Sequence, residues 1–305
     1  MGDNEKETVR IFALSDVHVD SVLNLAWMNS LSESDFSRDV LILAGDVSDR
    51  IDRLESTLAG LRSRFASVFF VPGNHELWVR GTGPARGSLG KFEQVLAICD
   101  RLDVRTRPGR IGNGKGVWIV PLFSWYLKPE EGPGSLYSPK TGEDETLSMW
   151  SDDHFVRWPQ TARPAAEFFL GANERNISRT YDGPVISFSH FLPRRELIFG
   201  RPAPRRWGKS PGDPHPAFNF SRVAGCRGLD AQIRRLGSTI HVYGHQHRNR
   251  FREIDGVTYI SHCLGYPRER ENGHIRGLDG GPRLIWDAGG LAGGPGERRG
   301  ESGEE

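Results

Sequence analysis

The segment Val40-Leu41-Ile42-Leu43-Ala44-Gly45-Asp46 runs four large aliphatic residues into a small pair and then a carboxylate. A short, nearly continuous apolar run rich in branched side chains reads as a strand covered on both faces. Open α/β sheets gather their ligands at the carboxyl ends of such strands, so Asp46 stands where a functional group is expected. Four other segments repeat the arrangement. Ile11-Phe12-Ala13-Leu14 leads to Asp16-Val17-His18, and Val68-Phe69-Phe70-Val71 leads to Gly73-Asn74-His75-Glu76. Val185-Ile186-Ser187-Phe188 leads to His190, and Thr239-Ile240-His241-Val242-Tyr243 leads to Gly244-His245-Gln246-His247. Five such loops can converge on one rim of a sheet, where a rigid scaffold holds catalytic groups in place.

Together the loops supply Asp16, His18, Asp46, Asn74, His190, His245 and His247, with His75 to spare. Carboxylate oxygen suits hard divalent ions, and imidazole suits borderline ones, so the mixed set fits Mn, Fe, Zn or Co better than Ca. Two such ions about 3.5–4 Å apart clamp a phosphoryl group and lower the pKa of a water between them. A carboxylate has two oxygens, so Asp46, set off by the small Gly45, is the natural bridge.

Bulk properties exclude little and permit a soluble enzyme. The chain has 305 residues, 37% hydrophobic and 26% charged, with a net charge of +1. That balance argues neither for nor against nucleic acid. No apolar run approaches the ~20 residues of a membrane span. The polar start Met1-Gly2-Asp3-Asn4-Glu5-Lys6 is unlike a signal or transit peptide, and Lys6 stands where a myristoylation signal wants Ser or Thr. The expected location is the cytoplasm, with no membrane and no protein partner. Cys99, Cys226 and Cys263 are too few and too scattered for a disulfide framework or a Cys-pair metal site.

The first half alternates strand and helix. Helices are expected over 21–31, from Ile51 to about Arg64, and over 91–103, each with a periodic apolar face. This rhythm predicts parallel strands. The second half is richer in strands, with a strand at 117–120, helices at 164–177 and 230–236, and a hairpin about Asp255-Gly256. Two insertions break the pattern. Residues 128–160 are rich in Pro, Gly and acids, and 193–228 carry Arg194, Arg195, Arg201, Arg205 and Arg206. Long loops of this kind are functional lids or disordered. The expected organisation is one domain over 1–287, followed by a disordered Gly- and charge-rich tail at 288–305.

The series Asp16-Val17-His18, Gly45-Asp46, Gly73-Asn74-His75-Glu76, His190 and Gly244-His245-Gln246-His247 resembles the signature of the calcineurin-like metallophosphoesterase family. The likeness spans about residues 9–265. It implies a four-layer α-β-β-α sandwich of two mixed sheets. It also implies a site in which Asp16, His18 and His247 hold one ion, Asn74, His190 and His245 hold the other, and Asp46 bridges them. A bridging hydroxide would attack phosphorus in line, with His75 beside the leaving oxygen. Asp49-Arg50 is similar to the pair with which protein serine/threonine phosphatases orient the catalytic imidazole and contact phosphate. Ile51, and Val19-Asp20 after the first motif, depart from the pattern of those phosphatases, which places the chain in the broad family only.

Other residues have plainer readings. Asp49 suits a helix N-cap, and Arg50 a solvated charge at a helix start. His241 lies inside an apolar strand and reads as a satisfied structural histidine. His262 stands at a strand end, while His154, His215 and His274 read as surface residues. Trp125 and Tyr126 suit either stacking on a substrate or packing. The arginine-rich insertion suits phosphate, RNA or solvent. The expected activity is hydrolysis of a phosphate ester on a substrate of unknown class. The alternatives are a nuclease or nucleotide phosphodiesterase of the same fold, for which nucleic acid is not favoured, and a non-catalytic module, which would show lost ligands.

Overall fold

The computed structural model describes residues 9–81, 86–112, 116–199, 215–287 and 290–292. In chain order the strands and helices are β1 (Ile11–Leu14), α1 (Val22–Asn29), β2 (Val40–Leu43), α2 (Ile51–Arg64), β3 (Ser67–Phe70), α3 (Gly87–Arg101), β4 (Gly109–Ile111), β5 (Val117–Pro121) and α4 (Ser151–Phe155). They continue with α5 (Ala165–Ile177), β6 (Val185–Phe188), α6 (Arg227–Arg235), β7 (Ile240–Tyr243), β8 (Arg250–Ile254), β9 (Val257–Ser261), α7 (Pro267–Glu271), β10 (Arg283–Asp287) and β11 (Gly290–Leu291).

One sheet has the order β11-β10-β1-β2-β3 and the other β4-β5-β6-β7-β9-β8. The strands that carry the motifs run parallel, as the helical crossovers between them require: β1 with β2, β2 with β3, β6 with β7. Side chains alternate across each strand. Ile11, Ala13, Val40, Ile42 and Phe69 therefore meet Ile119, Ile186, Phe188, Ile240, Val242 and Ile260 between the sheets. The alternate residues Phe12, Leu14, Leu41, Leu43, Val68 and Phe70 face outward onto Leu54, Leu58, Leu61, Val95 and Ile98 of the helices. On the far side Val120, Val185, Tyr243 and Tyr259 pack on Ile177, Leu229 and Ile233. The result is the α-β-β-α sandwich that the resemblance implies. Each fully buried aliphatic chain contributes about 1.5–3 kcal/mol, so the sheet ends are anchored firmly.

The two sheets are joined at the rim that carries the motifs. Past β1, the Ser15 amide donates to the His262 carbonyl at 2.9 Å, and Leu264 donates to Ser15 at 3.0 Å. On the other side Asp16 and His18 donate to Gly45 and Asp46, each at 3.0 Å. Loops after β1, β2 and β9 thus continue a ladder beyond the strands and meet there.

Several expectations needed correction. Helix α3 begins at Gly87, ahead of Lys91, and α1 leaves Val22 74% exposed instead of on a buried face. Strands β4, β10 and β11 were not expected: β4 and β11 are short, and β10 begins and ends with a charge. Strand β10 pairs antiparallel with β1, and Gly290–Leu291 pairs with β10. Structure therefore continues into the stretch read as a disordered tail, whose residues 288–289 and 293–305 lie outside the described residues. The hairpin has the expected bounds, and Asp255 and Gly256 both take positive φ, as its two-residue turn requires. Among the described residues no helix is long and apolar enough to cross a membrane.

Candidate metal centre

All seven expected ligand residues come together at the shared rim. Two overlapping groups can each hold an ion: Asp16, His18, Asp46 and His247, and Asp46, His190 and His245. Asn74 joins the second, its Oδ1 3.1 Å from His190 Nε2. Asp46 belongs to both groups. Its Oδ2 lies 3.4 Å from His190 Nε2 and 4.0 Å from His18 Nε2. The first group closes with His18 Nε2 2.9 Å from His247 Nε2, and His247 Nε2 3.5 Å from Asp16 Oδ1.

The backbone is bent to achieve this. Asp16, His18, Asp46, His245 and His247 all have φ between +41° and +71°. Side-chain-bearing residues rarely occupy this region. Such conformations cost about 1–3 kcal/mol each and persist where function uses them. Neighbouring glycines make room. At Gly45, itself at φ +82°, a Cβ would fall 2.6 Å from His190 Nδ1, and at Gly73 it would collide with the Asp46 carboxylate. The small residues in these motifs are thus a packing requirement of the ligands.

Three rings are tied by one nitrogen so that the other points inward. His190 Nδ1 lies 2.9 Å from the Ala44 carbonyl, and His245 Nε2 lies 3.0 Å from the Val223 carbonyl. His247 Nδ1 lies 2.8 Å from Glu269 Oε2. A ring nitrogen beside an acceptor carries the proton, which leaves a lone pair on its opposite nitrogen. Those lone pairs face Asp16, Asp46 and the Asn74 oxygen, so acceptors confront acceptors in a buried space. A divalent cation reconciles them, and the oxygen and imidazole donors suit a borderline ion. Protonation does part of the same work. Burial alone would lower His247, but Asp16 and Glu269 raise it to about 10. Burial likewise opposes, and Asp46 overcomes, a rise of His190 to about 9. Burial and the nearby His190 drop His245 to about 3.

Glu76, quoted in its motif but given no role, organises two loops. Its carboxylate accepts from the amides of Asp46, Val47, Ser48 and Gly73 at 2.6–3.0 Å. Burial and the Asp46 charge push it up to about 7, against the pull of the Gly73 and Ser48 amides. His75 borders the donors, its Nε2 3.8 Å from Asp46 Oδ2. Its amide donates to Asp46 Oδ1 at 3.0 Å, and its ring stacks on Trp78 at 3.7 Å. Burial holds that ring below the usual imidazole range.

Asp49 departs from both readings made of it, whereas Arg50 matches the plainer of its two, a solvated charge at a helix start. Asp49 caps no helix: the N-cap of α2 is Arg50, without a side-chain hydrogen bond. The Asp49 carboxylate pairs with Arg80, which lies over the Phe155 ring. Among the described residues no hydrogen bond joins Asp49 to His75. Arg50 is exposed and paired with Asp52 at 2.8 Å, turned away from the ligands. The arginine fold-back has a simple cause, since Asp52 stands two residues on, at the helix start.

Elsewhere the plainer readings hold. His241 is buried between the hydroxyls of Ser187 and Ser189 at 2.8 and 3.0 Å. His262 faces the Gly281 carbonyl. Trp125 and Tyr126 are buried, packed on Phe191. Arg194 pairs with Glu196 and Asp255. Arg201, Arg205 and Arg206 lie outside the described residues.

Three residues of the site carried no sequence signal. Glu269 braces His247. Tyr266 stacks on His18 at 4.4 Å while 41% exposed. Asp152, from the first insertion, accepts from Asn74 Nδ2 at 2.9 Å. Acids and aromatics in loops have no period to betray them.

Fold and rim together define a metal-site hydrolase on a four-layer sandwich. A family model for calcineurin-like phosphoesterases matches residues 9–249, and the chain belongs to that family. It is a hydrolase acting on phosphate esters. Its relatives use divalent metals. The chain is 28% identical over 269 residues to the acyl-carrier-protein phosphodiesterase PptH of Mycobacterium tuberculosis, over 85% of this chain and 78% of that protein. The crystal structure of phosphopantetheinyl hydrolase PptH from that organism matches with a TM-score of 0.67 at 25% identity, over 88% of this chain and 93% of that one.

Proposed function

We propose that this chain is a two-ion phosphodiesterase whose substrate is a phosphopantetheine arm joined through phosphate to an acyl carrier protein. The observation that carries the two-ion part is the sharing of Asp46 between two donor groups. The likeness to PptH, over most of both chains, supports the substrate class. In this reading Asp16, His18 and His247 would hold one ion and Asn74, His190 and His245 the other, with Asp46 common to both groups. Two divalent ions so held supply charge to the phosphoryl oxygens and lower the pKa of water.

The protein's own residues do the rest. Positive-φ turns and Gly45 set the donors in advance, so little reorganisation accompanies the reaction. Glu76 holds the Asp46 and Gly73 loops at a fixed separation. His75, carried on Trp78 with its Nε2 3.8 Å from Asp46 Oδ2, borders the donors and is placed to hydrogen-bond the departing oxygen. Burial lowers the proton affinity of that imidazole against the pull of the Asp46 charge, and Asp49 and Arg50, paired with Arg80 and Asp52, are assigned no contact with substrate.

The test is direct. The purified chain is incubated with Mn, Fe, Zn or Co ions and a carrier protein bearing its arm, and intact mass is followed. Bis-nitrophenyl phosphate and nitrophenyl phosphate run beside it. Metal-dependent loss of the arm is expected, with the diester cleaved faster than the monoester. Cleavage of the small diester with the carrier untouched would sink the substrate class. No turnover of any phosphate ester with any of these ions would sink the two-ion reading.

A further inference from the structure

We propose that Asp152 is a positioning residue of the metal centre: it fixes the Asn74 amide with its oxygen toward the ions, and through Trp78 it sets the platform that carries His75. This rests on the two-ion reading above.

The argument begins with the ambiguity of an amide. The oxygen and the NH2 group of Asn have nearly the same shape, but only the oxygen can ligate a cation. A hydroxyl or a second amide beside Asn74 would accept either orientation. A carboxylate is acceptor only when ionised, so it selects one. Asn74 Nδ2 lies 2.9 Å from Asp152 Oδ1, which leaves Asn74 Oδ1 on the opposite side, 3.1 Å from His190 Nε2. The same Asp152 oxygen accepts from Trp78 Nε1 at 2.6 Å. The Trp78 ring lies under His75 at 3.7 Å. One carboxylate thus governs an expected ligand and an expected catalytic ring that are adjacent in the chain.

Asp152 is also a poor choice for stability alone. It is 1% exposed, and among the described residues no lysine or arginine forms an ion pair with it. A buried carboxylate held by neutral N–H donors carries a desolvation cost that a well-packed apolar residue would avoid. Its position adds a second point. Asp152 sits in the five-residue helix α4, inside the 128–160 insertion, 78 residues from Asn74. The same helix presents Phe155 to Trp78, with ring centroids 5.2 Å apart. The insertion therefore completes the support of one ion's donors. The other ion's donors find their carboxylate brace, Glu269, in a different segment.

The test separates the two ions. Mn2+ is titrated calorimetrically into the wild-type chain, Asp152→Ala, Asp152→Asn and Trp78→Phe, with thermal melts run alongside. Wild type is expected to bind two ions. Asp152→Ala should lose about 10–100-fold in affinity at one of them, the scale for a lost outer partner, and leave the other unchanged. Asp152→Asn conserves shape, so it remains informative if the alanine variant does not fold. Its loss should fall on the same ion and be smaller. Trp78→Phe keeps a ring under His75 but removes the N–H, and should keep both ions while lowering kcat with KM retained. Both ions bound at wild-type affinity in a folded Asp152 variant would overturn the proposal and leave the two-ion reading standing. Equal loss at both ions together with a lowered melting temperature would also overturn it, as the mark of a merely structural role. A wild-type chain that binds no ion would overturn both.

Discussion

The two halves of the donor cluster are held in different ways. His190 and His245 are fastened to main-chain carbonyls, Ala44 and Val223, and both rings are buried. Asn74 beside them is buried and fixed by Asp152. In the other half His247 is 15% exposed at its side chain and leans on the carboxylate of Glu269, in the short helix α7. Tyr266, at the start of that helix, lies over His18 and is 41% exposed. One half is sealed and has both its rings braced by backbone, and the other is more open at His247 and has that ring braced by a charge. A backbone acceptor in a dry setting fixes a ring's tautomer without placing a full charge beside it. A carboxylate brace raises ring basicity as well.

The change that removes the comparison altogether is Asp46→Asn, because Asp46 serves both halves. A neutral amide bridges poorly, so affinity for both ions should fall and most activity should vanish. Metal analysis and turnover on a nitrophenyl diester check this. Two ions still bound with full turnover would end the bridging assignment. Next comes His75, which lies between the halves, its ring 4.6 Å from that of His18. His75→Ala should keep both ions and lose roughly 10²–10⁴-fold in rate, the usual scale for a lost general acid. The loss should shrink for nitrophenyl leaving groups, whose oxygen needs little protonation. Equal losses for good and poor leaving groups would favour electrostatic stabilisation. Loss of metal would make His75 a ligand.

Glu269→Gln sharpens the contrast. The amide can still accept from His247, or donate to it, but it no longer adds charge. An outer partner of a metal-bound imidazole is worth about 10–100-fold in affinity or activity. The loss should fall on the ion of the open half. A titration in which both ions weaken equally would show that the halves are not independent.

Much of this was legible in the residues, for an identifiable reason. Each expected ligand follows its strand within a few residues, so an apolar run and a chemical group appear side by side. The chain itself carries that association. Support groups are different: Glu269 meets His247 across 22 residues, and Asp152 meets Asn74 across 78. Nothing in a single loop records such a meeting. Edge strands fail for another reason. Strand β10 buries Ile285 and Trp286 but begins and ends with charges, and its pairing with β1 is a long-range event. The pair Asp49-Arg50 matched a family pattern by type, yet the local turn sends Arg50 to Asp52. Residue identity named the candidates, and only the turn decided where they point.

That turn yields the smallest expected effect. It lies beside the open half, where Asp20, two residues past His18, accepts from the Ser48 hydroxyl at 2.9 Å and from the Asp49 amide at 3.3 Å. If Arg50 contacted phosphate, Arg50→Ala would weaken substrate binding strongly, because charge-assisted contacts of that kind are among the strong ones. The observed Arg50 is in solvent with Asp52 as its partner, and exposed ion pairs contribute little. Arg50→Ala should therefore leave kcat and KM near wild type for the carrier protein and for the nitrophenyl diester alike. A KM that rises for the carrier alone would place Arg50 at the protein's docking surface. A rise for both substrates would mean that Arg50 leaves Asp52 and swings over the open half when phosphate arrives, and the contrast between a sealed and an open side would then describe only the resting state.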